Sequence, residues 1–213
     1  MNVLQFMWAD RVEILHLSAE HVFLVFVAIS IAVAIGVPVG ILMTRKPRIG
    51  KPILAIANVV QTIPSLALFG FLIPIPYIGG IGTRTAVIAL LLYSLLPIIR
   101  NTFTGISGVE PAVREAALGM GMTDGQILWQ VEIPLSLGVI FAGIRVATVI
   151  AVGVATIAAA IGAGGLGMFI FRGTSMLDYR VILAGAIPAA LIALAADFGM
   201  SALEKHFMRE RRS

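Results

Sequence analysis

Five long stretches of apolar residues, nearly free of charge, constrain this chain more than any other feature. They occupy residues 22–43, 53–73, 83–99, 138–161 and 181–203. A helix of about 20 residues crosses the ~30 Å hydrocarbon layer of a bilayer and pairs its own backbone groups there. None of the stretches alternates with the period of two that is typical of a strand. The sequence therefore predicts an all-α, polytopic membrane helical bundle with about five transmembrane helices.

The scarcity of charge excludes a soluble domain. Charged residues make up 12% of the 213 residues and hydrophobic residues 59%, with a mean hydropathy of +1.02. Soluble domains carry about 25% charged residues, so a soluble core of this size cannot hide so much apolar surface. The chain has no cysteine, which excludes disulfides and thiol chemistry. The lipid membrane is therefore its predicted surrounding, and residues 1–213 are expected to form a single transmembrane domain.

Basic residues are distributed unevenly between the two sides of this predicted bundle. One side holds Arg45, Lys46, Arg48, Lys51, Arg100, Arg114, Lys205, Arg209, Arg211 and Arg212. The other side holds Arg11, Arg84, Arg172 and Arg180. Because cytoplasmic loops carry the excess of lysine and arginine, the N-terminus is predicted outside and the C-terminus in the cytoplasm. The isoelectric point of about 10.0 is thus explained by topology, and no nucleic-acid partner is expected.

The longest polar segment, residues 100–137, separates the third and fourth apolar stretches. Pro111 suits the first position of a helix, and the alanines after it favour a helix to about residue 118. Gly119 and Gly121 are predicted to end that helix. Because its small side chains let another surface approach closely, the segment is predicted to be a docking element. A connector that packs under the bundle is the alternative.

Thr123 and Gln126 have the spacing of a capping box, in which each side chain bonds the backbone N–H of the other residue. A second short helix is therefore predicted from about 124 to 132. Pro134 is predicted to end this helix and to lead into the fourth apolar stretch. The whole segment is expected to be two short helices with a glycine elbow, lying along the inner membrane face.

This segment resembles the EAA loop of permease subunits of binding-protein-dependent ABC importers. The family pattern is EAA, three residues, G, nine residues and I-x-L-P. The chain has EAA at 115–117, glycine at Gly121 and VEIP at 131–134, so Val and Ile replace Ile and Leu. Four fixed elements at fixed spacing make chance agreement improbable.

The resemblance implies the fold of a type I ABC importer permease, with 100–137 as the loop that carries a coupling helix. In that family the helix inserts into a groove on an ATP-binding subunit. The coupling residues implied are Glu115, Ala116, Ala117, Gly121 and Pro134. The other implied partners are an extracytoplasmic substrate-binding protein and a second permease subunit, a copy of this chain or a paralogue, in a prokaryotic inner membrane.

Three further sequence segments narrow the class of solute that is transported. QTIPSLAL at 61–68, LLPIIRNTFTGI at 95–106 and IGAGGLG at 161–167 resemble osmoprotectant permeases for glycine betaine, carnitine and choline. A quaternary ammonium or zwitterionic solute is therefore implied. A permease for another small solute, such as an amino acid, is the alternative, followed by a self-contained secondary transporter.

Enzymatic chemistry is not expected in this chain. The phosphate-binding pattern G-x-x-x-x-G-K-[ST] does not occur in it, so ATP and Mg²⁺ are expected in the partner ATPase. The glycines at 162–167 follow a membrane helix and not a strand, which favours a tight turn over a dinucleotide site. His16, His21 and His206 are dispersed, so no metal site, cofactor or catalytic residue is predicted.

Polar residues interrupt the second apolar stretch at its middle. Gln61, Thr62 and Ser65 flank Pro64, which removes a helix hydrogen bond. Polar groups at this depth usually face a cavity, so these three residues, with Tyr93, are the candidates for lining a pathway. The alternative is a proline kink whose backbone is satisfied by the local hydroxyls.

Two charges lie inside apolar stretches, Arg145 in the fourth and Asp197 in the fifth. Both are at a similar distance from the cytoplasmic end, so they are predicted to form an ion pair that lowers the cost of burial. Independent snorkelling towards the interface is the alternative.

The fourth stretch also repeats a small residue at every fourth position. The residues are Gly143, Ala147, Ala151, Ala155 and Ala159. This pattern lets helices approach closely in lipid and predicts packing within the bundle or between subunits.

Overall fold

The computed structural model describes residues 2–209, apart from the side chains of Pro47 and of 206–209. The basic residues Arg211 and Arg212 lie outside the described residues, as do the side chains of His206 and Arg209. The helices are α1 Val3–Ala9, α2 Arg11–Arg45, α3 Pro47–Thr62, α4 Ser65–Leu72, α5 Thr83–Ser107, α6 Pro111–Gly119, α7 Asp124–Ile127, α8 Ile133–Ala158, α9 Gly167–Met176 and α10 Tyr179–Arg209. A π-helical turn, Leu128–Glu132, joins α7 to α8, and a 3₁₀ turn, Ala159–Ile161, follows α8. The all-α prediction is confirmed.

Within residues 2–209, four helical segments are long and apolar enough to cross a membrane. Helices α3 and α4 pass the same test only as a bent pair, which makes up to five spans if the pair counts as one. We call the end where α2 finishes and α8 begins the α6 end of the bundle, and the opposite end the α1 end. The apolar stretch at 53–73 is divided into two helices, and α4 turns by 104° from α3. Pro64 lacks the N–H that would continue α3, and Ile63 before it is extended, with ψ at 126°.

The α1 end contains two helices that the apolar pattern did not predict, α1 and α9. Helix α2 also begins at Arg11, well before the apolar stretch at 22. Its first turns place Ile14 and Leu17 in a cluster with Leu166 and Phe169 near α9. Packing on these neighbours supports a helix that its own mixed sequence does not announce.

Helix α5 lies at the centre of the bundle, between α2 and α8. Within its apolar segment 56% of the residues are buried, against 22%, 28% and 33% in the other three long helices. The largest core cluster joins Leu90 of α5 to Leu24 of α2, Ala155 of α8 and Phe69 of α4. The other long helices therefore leave most of their apolar surface for lipid or for another subunit.

Small residues allow these helices to approach closely. Gly143, Ala147, Ala151 and Ala155 are buried inside the chain. A Cβ at Gly143 would lie 2.5 Å from the Asn101 Cβ and 2.8 Å from the Pro97 carbonyl oxygen of α5. The small-residue repeat of α8 thus packs against its own bundle.

In the turn at 162–165, Gly162, Gly164 and Gly165 have positive φ, which glycine adopts without steric cost. Its Gly165 N–H donates to Glu20 Oε2 of α2 at 3.0 Å.

Beyond α9, Asp178 accepts from the Arg180 N–H and from its guanidinium, both at 2.9 Å. These bonds hold the pKa of Asp178 below its ordinary value.

We expect Gly143→Ala to lower the stability of the purified chain in detergent, because the added methyl group meets α5. Overpacking of this kind costs about 1–3 kcal/mol. The measurement is the unfolding temperature. The matched control on the same helix is Gly153→Ala, since nothing lies within 4 Å of its Cβ position. Equal unfolding temperatures for the two variants would contradict the close approach of α5 and α8.

Candidate functional site

Helix α6 projects from the α6 end of the bundle. All of its residues are exposed except Ala117, which is 1% exposed. Between α6 and the bundle lies a cleft of about 500 Å³, lined by Gly105 and Val109 on one side and by Val139 of α8 on the other. A helix with so little burial gains almost nothing from its own core contacts. It therefore presents a surface that another molecule can cover.

Gly121 forms the elbow after α6. Its φ is +80°, the left-handed conformation that glycine adopts without steric cost. The Gly121 N–H donates to the Leu118 carbonyl at 2.9 Å, and the Met122 N–H donates to the Ala117 carbonyl at 3.1 Å. These two bonds are the Schellman pattern of a helix end. Gly119, in contrast, is the last helical residue.

The predicted capping box is confirmed. The Thr123 N–H donates to Gln126 Oε1 at 2.8 Å, and the Gln126 N–H donates to Thr123 Oγ1 at 3.4 Å. Helix α7 begins directly after it at Asp124. The elbow and the cap together set the angle at which the chain returns to the membrane.

Pro134 does not end the second short helix, and that prediction is wrong. The helical path runs from Asp124 to Ile161 without a break. Pro134 is the second residue of α8 and follows the π-helical turn inside this continuous helix. The π-helical turn before it widens the helix, and Ser136 Oγ donates to the Glu132 carbonyl. The proline thus marks a change of helix register.

The coupling residues implied by the resemblance fall into two groups. Glu115, Ala116 and Gly121 are exposed, whereas Ala117 faces into the chain. A side-chain contact of Ala117 with another subunit therefore does not fit, because its methyl group already packs inside this chain. Two exposed apolar side chains follow the alanines in the chain, Leu118 at 55% and Met120 at 75% exposure. The sequence analysis did not name these two residues, although apolar side chains within a polar loop could have indicated them.

A buried carboxylate lies behind this loop. Glu132, on the π-helical turn, is 0% exposed. Arg114 Nε of α6 is 2.9 Å from Glu132 Oε1. Arg45 at the end of α2 donates to both carboxylate oxygens, with Nη1 3.3 Å from Oε1. Glu132 was not predicted as a site residue, and the arginines are distant from it in sequence.

The polar break between α3 and α4 is open on one side. Thr62 is exposed, Gln61 and Ser65 are half-buried, and Tyr93 is buried at 6% exposure. The Tyr93 hydroxyl donates to the Ile63 carbonyl, which the break removes from the helical pattern. Tyr93 therefore supports the break from inside the bundle, while the other three residues lie at its surface.

Arg145 and Asp197 form a bidentate ion pair between α8 and α10. Nε and Nη2 of the arginine lie 2.5 and 2.7 Å from the two carboxylate oxygens. About a third of each side chain is exposed, at 36% and 32%. The structure thus brings together the two charges that sequence placed at the same depth.

The chain matches the family described as binding-protein-dependent transport system inner membrane component over residues 36–211. The carnitine transport permease protein OpuCB of Listeria monocytogenes is 46% identical over 185 residues, or 87% of this chain and 84% of that protein. The osmoprotectant import permease protein OsmW of Salmonella typhimurium is 45% identical over 206 residues, or 96% of each chain.

Solved structures show the same fold. An inward-facing form of the MetNI methionine ABC transporter has a chain with a TM-score of 0.82 at 22% identity, covering 95% of this chain and 98% of that one. An amino acid ABC transporter with histidines gives a TM-score of 0.75, covering 99% of both chains.

We expect Asp197→Asn to lower the unfolding temperature in detergent, because it leaves the Arg145 charge without its carboxylate inside the bundle. The reversed pair, Arg145→Asp with Asp197→Arg, should recover part of the loss. Glu13→Gln is the control, since its ion pair with Arg172 at 3.2 Å is half-exposed and contributes little. A reversed pair no more stable than the single variant would argue against pairing.

Proposed function

The chain belongs to the family of binding-protein-dependent transport system inner membrane components, and we propose that its α6 end is the docking site of the ATPase that drives import. The chain is a transport permease subunit, and ATP is hydrolysed by a separate subunit of the importer. The observation that carries the docking proposal is the exposure of α6 on every side but one. Such a helix fits a groove on a partner.

The docking surface is made of Glu115, Ala116, Leu118, Met120 and Gly121. Small side chains allow close approach of the partner, two apolar side chains supply buried area, and the carboxylate supplies orientation. Ala117 faces the opposite way and sets the distance of α6 from the bundle. The elbow at Gly121 makes α6 a projecting element that the partner can hold from several sides.

The α6 end faces the cytoplasm in this proposal. Among the residues with described side chains, that end carries Arg45, Lys46, Arg48, Lys51, Arg100, Arg114 and Lys205, and the α1 end carries Arg11, Arg84, Arg172 and Arg180. The excess of positive charge supports a cytoplasmic α6 end, and it leaves the N-terminus outside. The extracytoplasmic binding protein would then meet the α1 end.

Two permease subunits would enclose the pathway. Gln61, Thr62 and Ser65 lie at an open break near the middle of α5, and there they would face the second subunit across the pathway. The short α4 and the hydrogen bond from Tyr93 hold this break in place. ATP-driven closure of the ATPase pair would draw the two α6 helices together and turn the cavity outward, and hydrolysis would return it inward.

The proposed cargo is a quaternary ammonium or zwitterionic osmoprotectant of the glycine betaine, carnitine and choline type. The support comes from relatives at 45% and 46% identity over most of the chain, which are named for osmoprotectant and carnitine transport. The transporters named for amino acids share the fold at 22% identity. That likeness supports the fold and says little about the cargo.

We expect Glu115→Lys to disrupt docking, because it reverses a charge on the exposed face of α6. Transport-linked ATPase activity of the reconstituted importer should fall at least about tenfold, the effect of ~1.4 kcal/mol. The control Glu110→Lys makes the same reversal at a residue that lines the cleft behind α6. ATPase activity that survives Glu115→Lys unchanged would count against the docking surface.

The cargo is tested by uptake in proteoliposomes that contain the permease, its ATPase and its binding protein. We expect labelled glycine betaine, carnitine or choline to accumulate with ATP, and excess unlabelled trimethylammonium solute to compete. Excess methionine should not compete, because it carries a primary amine in place of the quaternary group. Uptake of methionine with no uptake of the three osmoprotectants would overturn the assignment.

A further inference from the structure

The carboxylate of Glu132 joins three separate elements at the α6 end. Glu132 itself lies on the π-helical turn that leads into α8, Arg114 lies on α6, and Arg45 lies at the end of α2. The carboxylate is fully buried, whereas the two arginine side chains are 29% and 46% exposed. A buried carboxylate is expensive unless its oxygens are paired, and here both oxygens are paired.

We propose that Glu132 is a positioning residue that ties α6 to the end of α2, so that movement of a docked α6 displaces α2 and α8 together. The proposal rests on the proposed function insofar as α6 is the docking helix. It adds the route by which that movement reaches the transmembrane helices.

The connections of α6 along the chain do not provide this route. At one end, the chain leaves α5 through Gly108, and a turn of three residues separates the two helices. At the other end, the elbow at Gly121 leads to α7 and α8. Neither connection reaches α2. The two ion pairs of Glu132 do, across 87 residues of sequence between Arg45 and Glu132.

Removal of Arg114 can distinguish a role of Glu132 in transmitting movement from a purely structural role. If Arg114 is removed, the carboxylate keeps both contacts with Arg45, so no bare charge is left inside the protein. The link to α6 is then cut while the pairing of α2 with Glu132 remains. Loss of Arg114 should therefore weaken the transmission of movement from α6 to α2, and it should have a smaller effect on folding.

The test is Arg114→Gln in the full importer in proteoliposomes, with ATP hydrolysis and solute uptake measured in the same preparation. We expect hydrolysis to stay near the wild-type rate and the solute moved per ATP to fall at least about fivefold, the lower end of typical coupling energies. Arg114→Lys keeps the charge and should recover part of the ratio. Arg48→Gln removes a charge from the same end at an exposed residue and should leave the ratio unchanged.

A distance measurement tests the tie without any ATPase. Because the chain has no cysteine, spin labels can be attached to cysteines introduced at Lys46 and Ala112, both exposed. In the permease alone, in nanodiscs, the distance distribution should be narrow for wild type and broader for Arg114→Gln. Glu132→Gln, which removes both ion pairs, should broaden it at least as much.

The outcomes separate the two proposals. An unchanged solute-to-ATP ratio in Arg114→Gln, or an unchanged distance distribution, would overturn the role of Glu132. Hydrolysis lost in parallel with uptake would also overturn it, since α6 would then be needed for docking and not for transmission. A wild-type permease that fails to bind the ATPase would instead overturn the proposed function, and the distance result would stand.

Discussion

The need to pair every backbone group inside a hydrocarbon layer governs this structure. Long helices meet it by themselves, and each interruption of a helix needs a specific partner. At the break between α3 and α4, the hydroxyl of Tyr93 takes the Ile63 carbonyl. At the start of α8, the π-helical turn and Ser136 accommodate Pro134. At both irregular points a side-chain hydroxyl thus bonds a backbone carbonyl of the interruption.

Charged side chains that are withdrawn from water also have specific partners. Inside the bundle, Arg145 and Asp197 meet as a bidentate pair, and at its α6 end Glu132 is met by two arginines. The pairs of Arg145 with Asp197 and of Arg45 with Glu132 join helices that are 52 and 87 residues apart in sequence. A charge withdrawn from water thus does two things here: it is neutralised, and it fixes the relative position of two elements.

Helix α6 contrasts with this well-packed bundle. It buries the methyl group of Ala117, pairs Arg114 with the buried Glu132 and leaves most of its remaining surface exposed. The element that we propose as the docking site is therefore shaped by local rules: a proline start, a glycine elbow and a capping box. In our proposal its position relative to the membrane helices depends on the buried carboxylate of Glu132, whose ion pairs connect this small element to α2 and to the start of α8.

Local signals in the sequence determined the membrane class, the all-α fold and the caps of the polar loop at 100–137. Helical periodicity, turn residues and fixed motif spacing are readable from neighbouring residues alone, and the resemblance of the loop at 115–134 added the family. The tertiary structure decided the inward side of Ala117, the support that Tyr93 gives to the break at Pro64 and the arginine pairing of Glu132. These depend on contacts between residues many positions apart, and one sequence does not specify which distant side chains will meet.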